Sequence, residues 1–369
     1  MEIAFASLSV LAGFVALIVG GELLVRSASK FAGAFGISPV VTGLTVVAFA
    51  TSAPELAVVV QAAYADKTDL AIGNAVGSNI FNVLFVLGLS AMVAPLIVKA
   101  QLIRWDVPAM VGASILLLLF SLDGVLDRVD GMVMFALLIA YITWTIVQSR
   151  KTPNGVSSEF AEENEIVGSQ SGQALWSQFI IFLAGLGLLV VGANWAVNGS
   201  VVIAKSFGVS ELVIGLTVVA VGTSLPEVVT SIVASCRGER DIAVGNVVGS
   251  NMFNILAVLG LSSIVAPSGI AVTATATYFD MPVMIAVAIV CWPIFYVGYK
   301  VTRWEGVVLF GYYIAYTTYL ILHSQGSGHL AILETALGMF VIPLTVLTFL
   351  IGTYRYWRRD RFEENQSSD

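Results

Sequence analysis

Long apolar runs alternate with short polar segments from one end of the chain to the other. Each run is about 20 residues long, the length that an α-helix needs to cross about 30 Å of hydrocarbon. The pattern predicts an all-α integral membrane protein. Its eleven predicted spans lie at approximately 4–25, 38–64, 70–96, 106–122, 130–148, 177–199, 210–235, 242–266, 279–299, 304–322 and 331–354.

The composition agrees with a membrane location along the whole chain. Of the 369 residues, 58% are hydrophobic and only 11% are charged, whereas soluble domains carry about 25% charged residues. No basic face exists outside the short C-terminal tail, which excludes nucleic acid as a partner. We expect the lipid bilayer and transported ions as partners, with no protein partner, no cofactor and no enzymatic activity.

Charge predicts the orientation, because cytoplasmic loops of membrane proteins are enriched in Lys and Arg. With the N-terminus outside, fourteen of the 17 Lys and Arg residues fall in inner loops or the C-terminal tail, and three fall outside. One missed or invented span would spoil this bias. The sequence therefore predicts a multi-pass protein of the plasma or inner membrane, with an outer N-terminus and a cytoplasmic C-terminus.

A polar, acidic segment at residues 150–176 predicts a cytoplasmic linker between two halves. The first half, residues 1–149, contains five spans, and the second half, residues 177–322, contains five more. Residues 323–369 add an eleventh span and a basic tail, which we expect to lie at the inner membrane face.

The two halves contain a repeated sequence, at about residues 38–96 and 210–266. A constant shift of 172 aligns residues 43–90 with 215–262, and 27 of these 48 positions are identical. Five spans separate the copies, so the second crosses the membrane in the opposite direction. We predict a ten-helix core of two inverted five-helix repeats plus the extra C-terminal helix. Inverted repeats are typical of secondary transporters, whose substrates bind at the midplane.

Each copy places a proline and a glutamate together inside an apolar run, Pro54 with Glu55 and Pro226 with Glu227. Proline disturbs the helix four residues earlier, which predicts freed carbonyls near Ala48 and Ala220. A charged residue at the centre of a membrane helix costs roughly 2.5–3.5 kcal/mol. A divalent cation between the two carboxylates would neutralise both.

Neutral oxygens surround the glutamates in both copies. The predicted ligands are Thr51, Ser52, Ser78, Asn82, Thr223, Ser224, Ser250 and Asn254. The motifs also contain Asn74, Asn79, Asn246 and Asn251. For Asn74 and Asn246, ligation and interhelical hydrogen bonding remain alternatives. An all-oxygen set suits a hard cation such as Ca2+, which takes about 6–8 oxygens.

Three carboxylates outside this set receive structural interpretations. Asp106 and Asp280 each precede a proline by two residues, which predicts helix N-caps. Glu22 precedes Arg26 by four residues, which predicts an ion pair along one helix.

The paired motifs "TS.PE" and "GN..GSN.FN" resemble those of the sodium/calcium exchanger branch of the cation/Ca2+ exchanger superfamily, prokaryotic type, over about residues 5–322. The resemblance implies exchange of Ca2+ for Na+ by alternating access, with Glu55 and Glu227 as central ligands. Some sodium-coupled members carry aspartate at the position of Asn254. Asparagine here leaves two central carboxylates, so an H+/Ca2+ antiporter remains an alternative. A cation channel is a third possibility, which would conduct without a counter-ion.

Overall fold

The protein is described by a computed structural model that covers residues 2–151, 172–207 and 220–324, together with Gly338, Ile342 and Val346. The described residues form helices and four two-residue strands. The helices of the first half are α1 Glu2–Ala34, α2 Pro39–Thr51, α3 Ala53–Tyr64, α4 Thr68–Val93, α5 Leu102–Asp123 and α6 Arg128–Lys151. Those of the second half are α7 Gly172–Ser206, α8 Ala220–Gly222, α9 Leu225–Cys236, α10 Arg240–Val265, α11 Ala276–Tyr299 and α12 Arg303–Ser324.

Eight of the described helices are long and apolar enough to cross a membrane, and α2 and α3 together form a ninth candidate. The predicted seventh span is described only from Ala220 onward, where α8 and α9 lie. The predicted eleventh span and the linker at 152–171 fall outside the described residues, apart from the three isolated positions named above. The protein is therefore an all-helical membrane protein in which nine of the eleven predicted spans are described in full.

Helices α1 and α7 extend well beyond the spans predicted at 4–25 and 177–199. They pack antiparallel, and glycines bring the backbones together. A Cβ added to Gly13 would lie 2.6 Å from the backbone nitrogen of Ala196, and one added to Gly20 would lie 2.8 Å from the carbonyl oxygen of Gly185. Hydrophobicity marks only the part of a helix inside hydrocarbon, so it missed the ends of this long pair.

The core of the molecule lies along α4 and α10, the helices that carry the second repeated motif. The most apolar stretch of α10 is completely buried and that of α4 is 72% buried, whereas that of α12 is only 11% buried. The outer helices thus present apolar side chains to the membrane, and the two central helices carry polar side chains where only protein surrounds them.

Two antiparallel strand pairs join the halves. Strand β1, Leu96–Ile97, pairs with β4, Lys300–Val301, and strand β2, Val125–Leu126, pairs with β3, Ile270–Ala271. The first pair joins two loops that the charge pattern assigns to the inner side, and the second joins two assigned to the outer side. An ion pair of 3.4 Å between Lys99 and Asp241 also joins two predicted inner loops. Loop contacts therefore group as the predicted alternation requires.

The predicted N-caps at Asp106 and Asp280 are wrong. Both residues have helical backbone angles and make no capping hydrogen bond. Instead, Tyr141 donates to Asp106 over 2.9 Å, and Tyr316 donates to Asp280 over 3.4 Å. Each helix begins before its aspartate, as a π-helical turn, so the carboxyl group already lies inside the helix and contacts a neighbouring one.

The predicted pair of Glu22 with Arg26 is also replaced by a contact between helices. The carboxylate of Glu22 forms a two-point ion pair with the guanidinium of Arg237, at the end of α9. This tertiary contact links α1 to the second repeat.

Candidate ion-binding site

The repeated proline–glutamate motif lies where a helix is broken. Helices α2 and α3 meet at Ser52 with a bend of 46°. Pro54 occupies the first turn of α3, where a missing N–H is tolerated, and it offers no N–H to the carbonyl of Ala50. Pro226 occupies the first turn of α9 in the same way, after a break at Ser224. The prolines thus begin a new half-helix in each copy.

Both glutamates lie in the first turn of these half-helices and are buried, with Glu55 0% and Glu227 1% exposed. A helix N-terminus carries a partial positive charge, which favours a carboxylate there. Ser224, which donates to Glu55, precedes Glu227 by only three residues, so the two carboxylates lie near each other and repel when both are charged. The break therefore supports each negative charge locally, but neither glutamate forms an ion pair with a Lys, Arg or His of the described residues.

Glu55 and Glu227 differ in their partners. The hydroxyl of Ser224 donates to Glu55 Oε1 over 2.9 Å and lies 3.1 Å from Ser78 Oγ. Within the part of the chain that the structure describes, the second oxygen of Glu55, both oxygens of Glu227 and the hydroxyl of Ser52 have no hydrogen-bond partner. Leaving a buried carboxylate oxygen unpaired is costly, so this cluster of unpaired oxygens is suited to a cation.

The remaining predicted hydroxyls belong to hydrogen bonds between the two copies. Thr51 Oγ1 lies 3.2 Å from Asn246 Oδ1 and 3.3 Å from Ser250 Oγ. On the other side, Asn74 Nδ2 donates to Thr223 Oγ1 over 3.3 Å. Of the two interpretations of Asn74 and Asn246, the structure displays the interhelical hydrogen bonds.

The predicted freed carbonyls are placed less simply. The carbonyl of Ala48 accepts from the backbone N–H of Ser52 at 3.0 Å and lies 3.3 Å from Thr51 Oγ1. Thr51 has one hydroxyl hydrogen, which Asn246 Oδ1 can also accept, so the Ala48 oxygen keeps a lone pair for a cation when Thr51 donates to Asn246. Ala220 begins the described part of the second copy, as the first residue of α8. Ligation by these two carbonyls stays a prediction.

Asn82 and Asn254 each begin a six-residue π-helical segment inside α4 and α10. Such segments are rare and occur mostly at functional sites. Both residues are buried, at 1% and 0% exposure. Among the described residues, neither side-chain nitrogen nor oxygen of Asn82 has a hydrogen-bond partner, and the side-chain oxygen of Asn254 has none. Two further buried amide oxygens are therefore available.

Chemically, the arrangement is a buried site of two carboxylates and several hydroxyl and amide oxygens. No group of three or more His, Cys, Asp or Glu residues is gathered within the described part of the chain. A tightly held soft metal would call for thiolate or imidazole ligands. Two carboxylates with neutral oxygens instead suit a hard cation that enters and leaves.

Sequence reasoning missed several side-chain contacts that the repeated asparagines make. Ser231 accepts from Asn246 Nδ2 over 3.0 Å. Asn79 Nδ2 lies 3.4 Å from Met284 Sδ, and Asn251 Nδ2 lies 3.4 Å from Met110 Sδ. The asparagines were visible as repeated positions, but the methionines carry no signal in an apolar helix.

Comparison with known proteins points to one family. Residues 5–147 and 177–322 match the family described as "Sodium/calcium exchanger protein". The chain is 35% identical to the "Putative antiporter CaxA" of Alkalimonas amylolytica over 323 residues, which are 86% of this chain and 99% of that protein. It is 34% identical to the "Inner membrane protein YrbG" of Escherichia coli over 289 residues, 78% of this chain and 89% of that protein.

A solved structure has the same fold. The sodium/calcium exchanger from Methanococcus jannaschii superimposes with a TM-score of 0.71 at 30% sequence identity. The superposition covers 85% of this chain and 97% of that one. The two segments that match the family model, 5–147 and 177–322, fall within the predicted halves 1–149 and 177–322.

Proposed function

Because the chain belongs to the sodium/calcium exchanger family, we propose that it exports Ca2+ in exchange for Na+, with both ions bound between Glu55 and Glu227. Family membership supports antiport of Ca2+ against another cation. The proposal adds that the other cation is Na+ and names the ligands.

The observation that carries the proposal is the pair of fully buried glutamates with unpaired oxygens at two helix breaks. Two carboxylates carry a charge of −2, which one Ca2+ neutralises. A pair of Na+ ions would neutralise it equally. The same cluster of oxygens therefore binds either one Ca2+ or two Na+ with no net buried charge. If the site can change its exposure from one side of the membrane to the other only when ions are bound, neither ion crosses without exchange.

Neutral oxygens complete the proposed coordination shell. Ser52, Ser78, Asn82, Ser224, Ser250 and Asn254 are buried and supply hydroxyl or amide oxygens near the breaks. Thr51 and Thr223 lie at the broken ends themselves. Hydroxyls that now bond to one another, such as Ser224 and Ser78, would turn toward the cation when it binds, since each keeps lone pairs that no donor uses.

Access would alternate through movement of α1 and α7 past the fixed site. Their glycines allow backbone contact, so side chains do not interlock and one helix can slide along the other. Cysteines introduced on the lipid-remote faces of both helices should change reactivity toward a soluble thiol reagent when Na+ is replaced by Ca2+. Unchanged reactivity would argue against this movement.

A second candidate is an H+/Ca2+ antiporter, and Asn254 favours it. An amide at this position removes a third carboxylate that Na+ would otherwise find, and protons can neutralise Glu55 and Glu227 without further ligands. The fold and the residues named above stay the same in this alternative, so only the coupling ion differs.

The deciding experiment is uptake of radiolabelled Ca2+ into proteoliposomes. Vesicles loaded with Na+ and diluted into Na+-free medium at equal pH should accumulate Ca2+, and vesicles loaded with K+ should not. Uptake driven only by a pH gradient would replace Na+ by H+ as the coupling ion. Flux without either counter-ion would indicate a channel.

The proposed location is the inner membrane, with the N-terminus outside and the C-terminus in the cytoplasm. The charge pattern and the inner-membrane name of the Escherichia coli relative support it. A C-terminal fluorescent fusion should fluoresce in the cytoplasm, and a C-terminal alkaline phosphatase fusion should be inactive. The reverse pair of results would invert the orientation.

A further inference from the structure

Asn79 lies at the contact between the two copies, outside the set of ligands proposed above. We propose that Asn79 is a positioning residue, which holds the side-chain amide of Asn254 with its oxygen free for the cation and so adapts the site to a neutral residue at 254. The proposal rests on the proposed function, because it assigns a task within the same cation site.

Two contacts fix the orientation of the Asn79 side chain. Its Nδ2 lies 3.3 Å from the backbone carbonyl oxygen of Asn251 and 3.4 Å from Met284 Sδ. A carbonyl oxygen accepts hydrogen bonds and never donates them. The NH2 group of Asn79 must therefore face Asn251, and its Oδ1 must face the opposite way.

The orientation of Asn79 in turn determines the orientation of the Asn254 side chain. Asn254 Nδ2 donates to Asn79 Oδ1 over 3.1 Å. An acceptor at this point demands the nitrogen of Asn254, not its oxygen. The oxygen of Asn254 is thus turned away from Asn79, and it is buried without any hydrogen-bond partner. Two hydrogen bonds thus form a relay, from Asn254 to Asn79 and from Asn79 to the carbonyl of Asn251. Through this relay, the backbone of Asn251 sets which atom Asn254 presents to the site.

The symmetry-related pair, Asn251 and Asn82, does not form the same hydrogen bond. Asn82 is the symmetry mate of Asn254, and neither atom of its amide is hydrogen-bonded. Asn251 is the mate of Asn79, and its Nδ2 contacts Met110 Sδ without reaching Asn82. The sequence repeats these asparagines, but only the Asn79–Asn254 pair forms a hydrogen bond that fixes the orientation of a side-chain amide.

This relay favours one type of side chain at position 254. A carboxylate at position 254 would place an oxygen against Asn79 Oδ1, so two acceptors would meet in a buried place. Relief would require a proton on the carboxylate, or a turned Asn79 that gives up its bond to the Asn251 carbonyl. Asn79 therefore favours an amide at 254 and disfavours an unprotonated carboxylate.

The test is a double-mutant cycle measured as equilibrium binding of radiolabelled Ca2+ to the purified full-length protein in detergent, without Na+ at fixed pH. The variants are Asn79→Ala, Asn254→Asp and the combination. In the native background, Asn79→Ala should weaken binding about tenfold, the equivalent of one hydrogen bond. In the Asn254→Asp background the same change should tighten binding, because it removes the opposing oxygen. An equal factor in both backgrounds would overturn the relay.

Asn251→Ala is the matched control. Its side chain makes the same kind of contact to a methionine sulfur, but it does not touch residue 254. Its effect on Ca2+ binding should be the same factor with Asn or Asp at 254. A reversal of sign at Asn251 as well would show a general packing effect and contradict the assignment to Asn79.

Folding is checked by a single size-exclusion peak and by the melting temperature of each variant. If Asn79→Ala does not fold, Asn79→Ser replaces it, since a hydroxyl satisfies the Asn251 carbonyl yet cannot reach both partners, and the same reversal is expected. Absence of Ca2+ binding by the native protein would refute the proposed function. Native binding with no reversal would refute only the relay.

Discussion

The two copies of the repeat contain the same functional residues but not the same contacts. In the first copy, the carboxylate of Glu55 accepts a hydrogen bond from Ser224 of the second copy. The symmetry mate of that bond would join Ser52 to Glu227, but among the described residues the hydroxyl of Ser52 and both oxygens of Glu227 have no hydrogen-bond partner. Glu55 therefore accepts a hydroxyl hydrogen bond from the other copy, whereas Glu227 has no equivalent bond.

This difference shows that a sequence repeat can place the same side chains in both copies without giving them equal environments. The repeats fix which oxygens are available, and the conformation decides which of them bond to each other. The half with unpaired oxygens has the most to gain from a cation. A conformation in which the copies exchange roles would move this demand to Glu55, which is the behaviour that alternating access requires.

The largest expected effect comes from removing either charge. Glu55→Gln and Glu227→Gln should each lower Ca2+ uptake by about 100-fold or more, since one carboxylate cannot neutralise Ca2+ and a missing buried charge partner costs several kcal/mol. The measurement is initial uptake into proteoliposomes at equal protein density. Although only Glu55 is hydrogen-bonded, the losses should match. Transport by either variant near the native rate would refute the two-carboxylate site.

The next effect should reveal the difference between the copies in the absence of ions. Ser224→Ala removes the hydroxyl that donates to Glu55 and leaves a buried oxygen unsatisfied, which costs about 1–3 kcal/mol, whereas Ser52→Ala removes a hydroxyl that has no partner among the described residues. Without ions, Ser224→Ala should therefore lower the melting temperature by several degrees more than Ser52→Ala.

Saturating Ca2+ should shrink this gap in melting temperature, because the ion then satisfies Glu55. Equal melting temperatures of the two variants without ions would mean that the copies are not distinguished as the structure shows.

A smaller effect is expected at the aspartate–tyrosine pairs of the outer helices. Asp106 is completely buried and accepts from Tyr141 at 2.9 Å, while Asp280 is half-buried and accepts from Tyr316 at 3.4 Å. Tyr141→Phe should reduce stability by about 1–3 kcal/mol, the cost of an unsatisfied buried group. Tyr316→Phe should cost less, because Asp280 is only half-buried and its hydrogen bond is longer. Unfolding in denaturant measures both, and an equal loss would contradict the difference in burial.

The sequence was sufficient for the features that hydrophobicity and repetition record. Runs of apolar residues located the nine spans that are fully described, and the shift of 172 identified the two repeats and the paired glutamates. These features depend on local composition and on comparison of the chain with itself. They hold whatever the detailed packing is.

Contacts between distant segments could not be predicted in this way. Glu22 has an arginine four residues later, yet it pairs with Arg237, because the packing of α1 on α9 brings a better-placed guanidinium. Asp106 resembles an N-cap, yet a π-helical turn starts the helix earlier. The Asn79–Asn254 bond joins residues 175 positions apart. Each outcome is decided by tertiary geometry that a single sequence does not encode in readable form.

The smallest expected effect concerns the ion pair of Glu22 with Arg237, which exists at only one end of the molecule. The positions related to it by the repeat shift of 172 hold Asn194 and Ala65, so no equivalent pair can form there. Because both side chains are more than a third exposed, the pair should contribute only about 0–1 kcal/mol. Glu22→Gln should therefore change the rate of Ca2+ uptake by about fivefold or less at low ionic strength.

Salt should remove that change, since mobile ions screen exposed charges. Arg237→Gln is the matched variant, and the double variant should behave like either single one. A rate change that persists in concentrated salt, or that adds in the double variant, would show that these residues act separately. The asymmetry between the two ends would then lie elsewhere than in this pair.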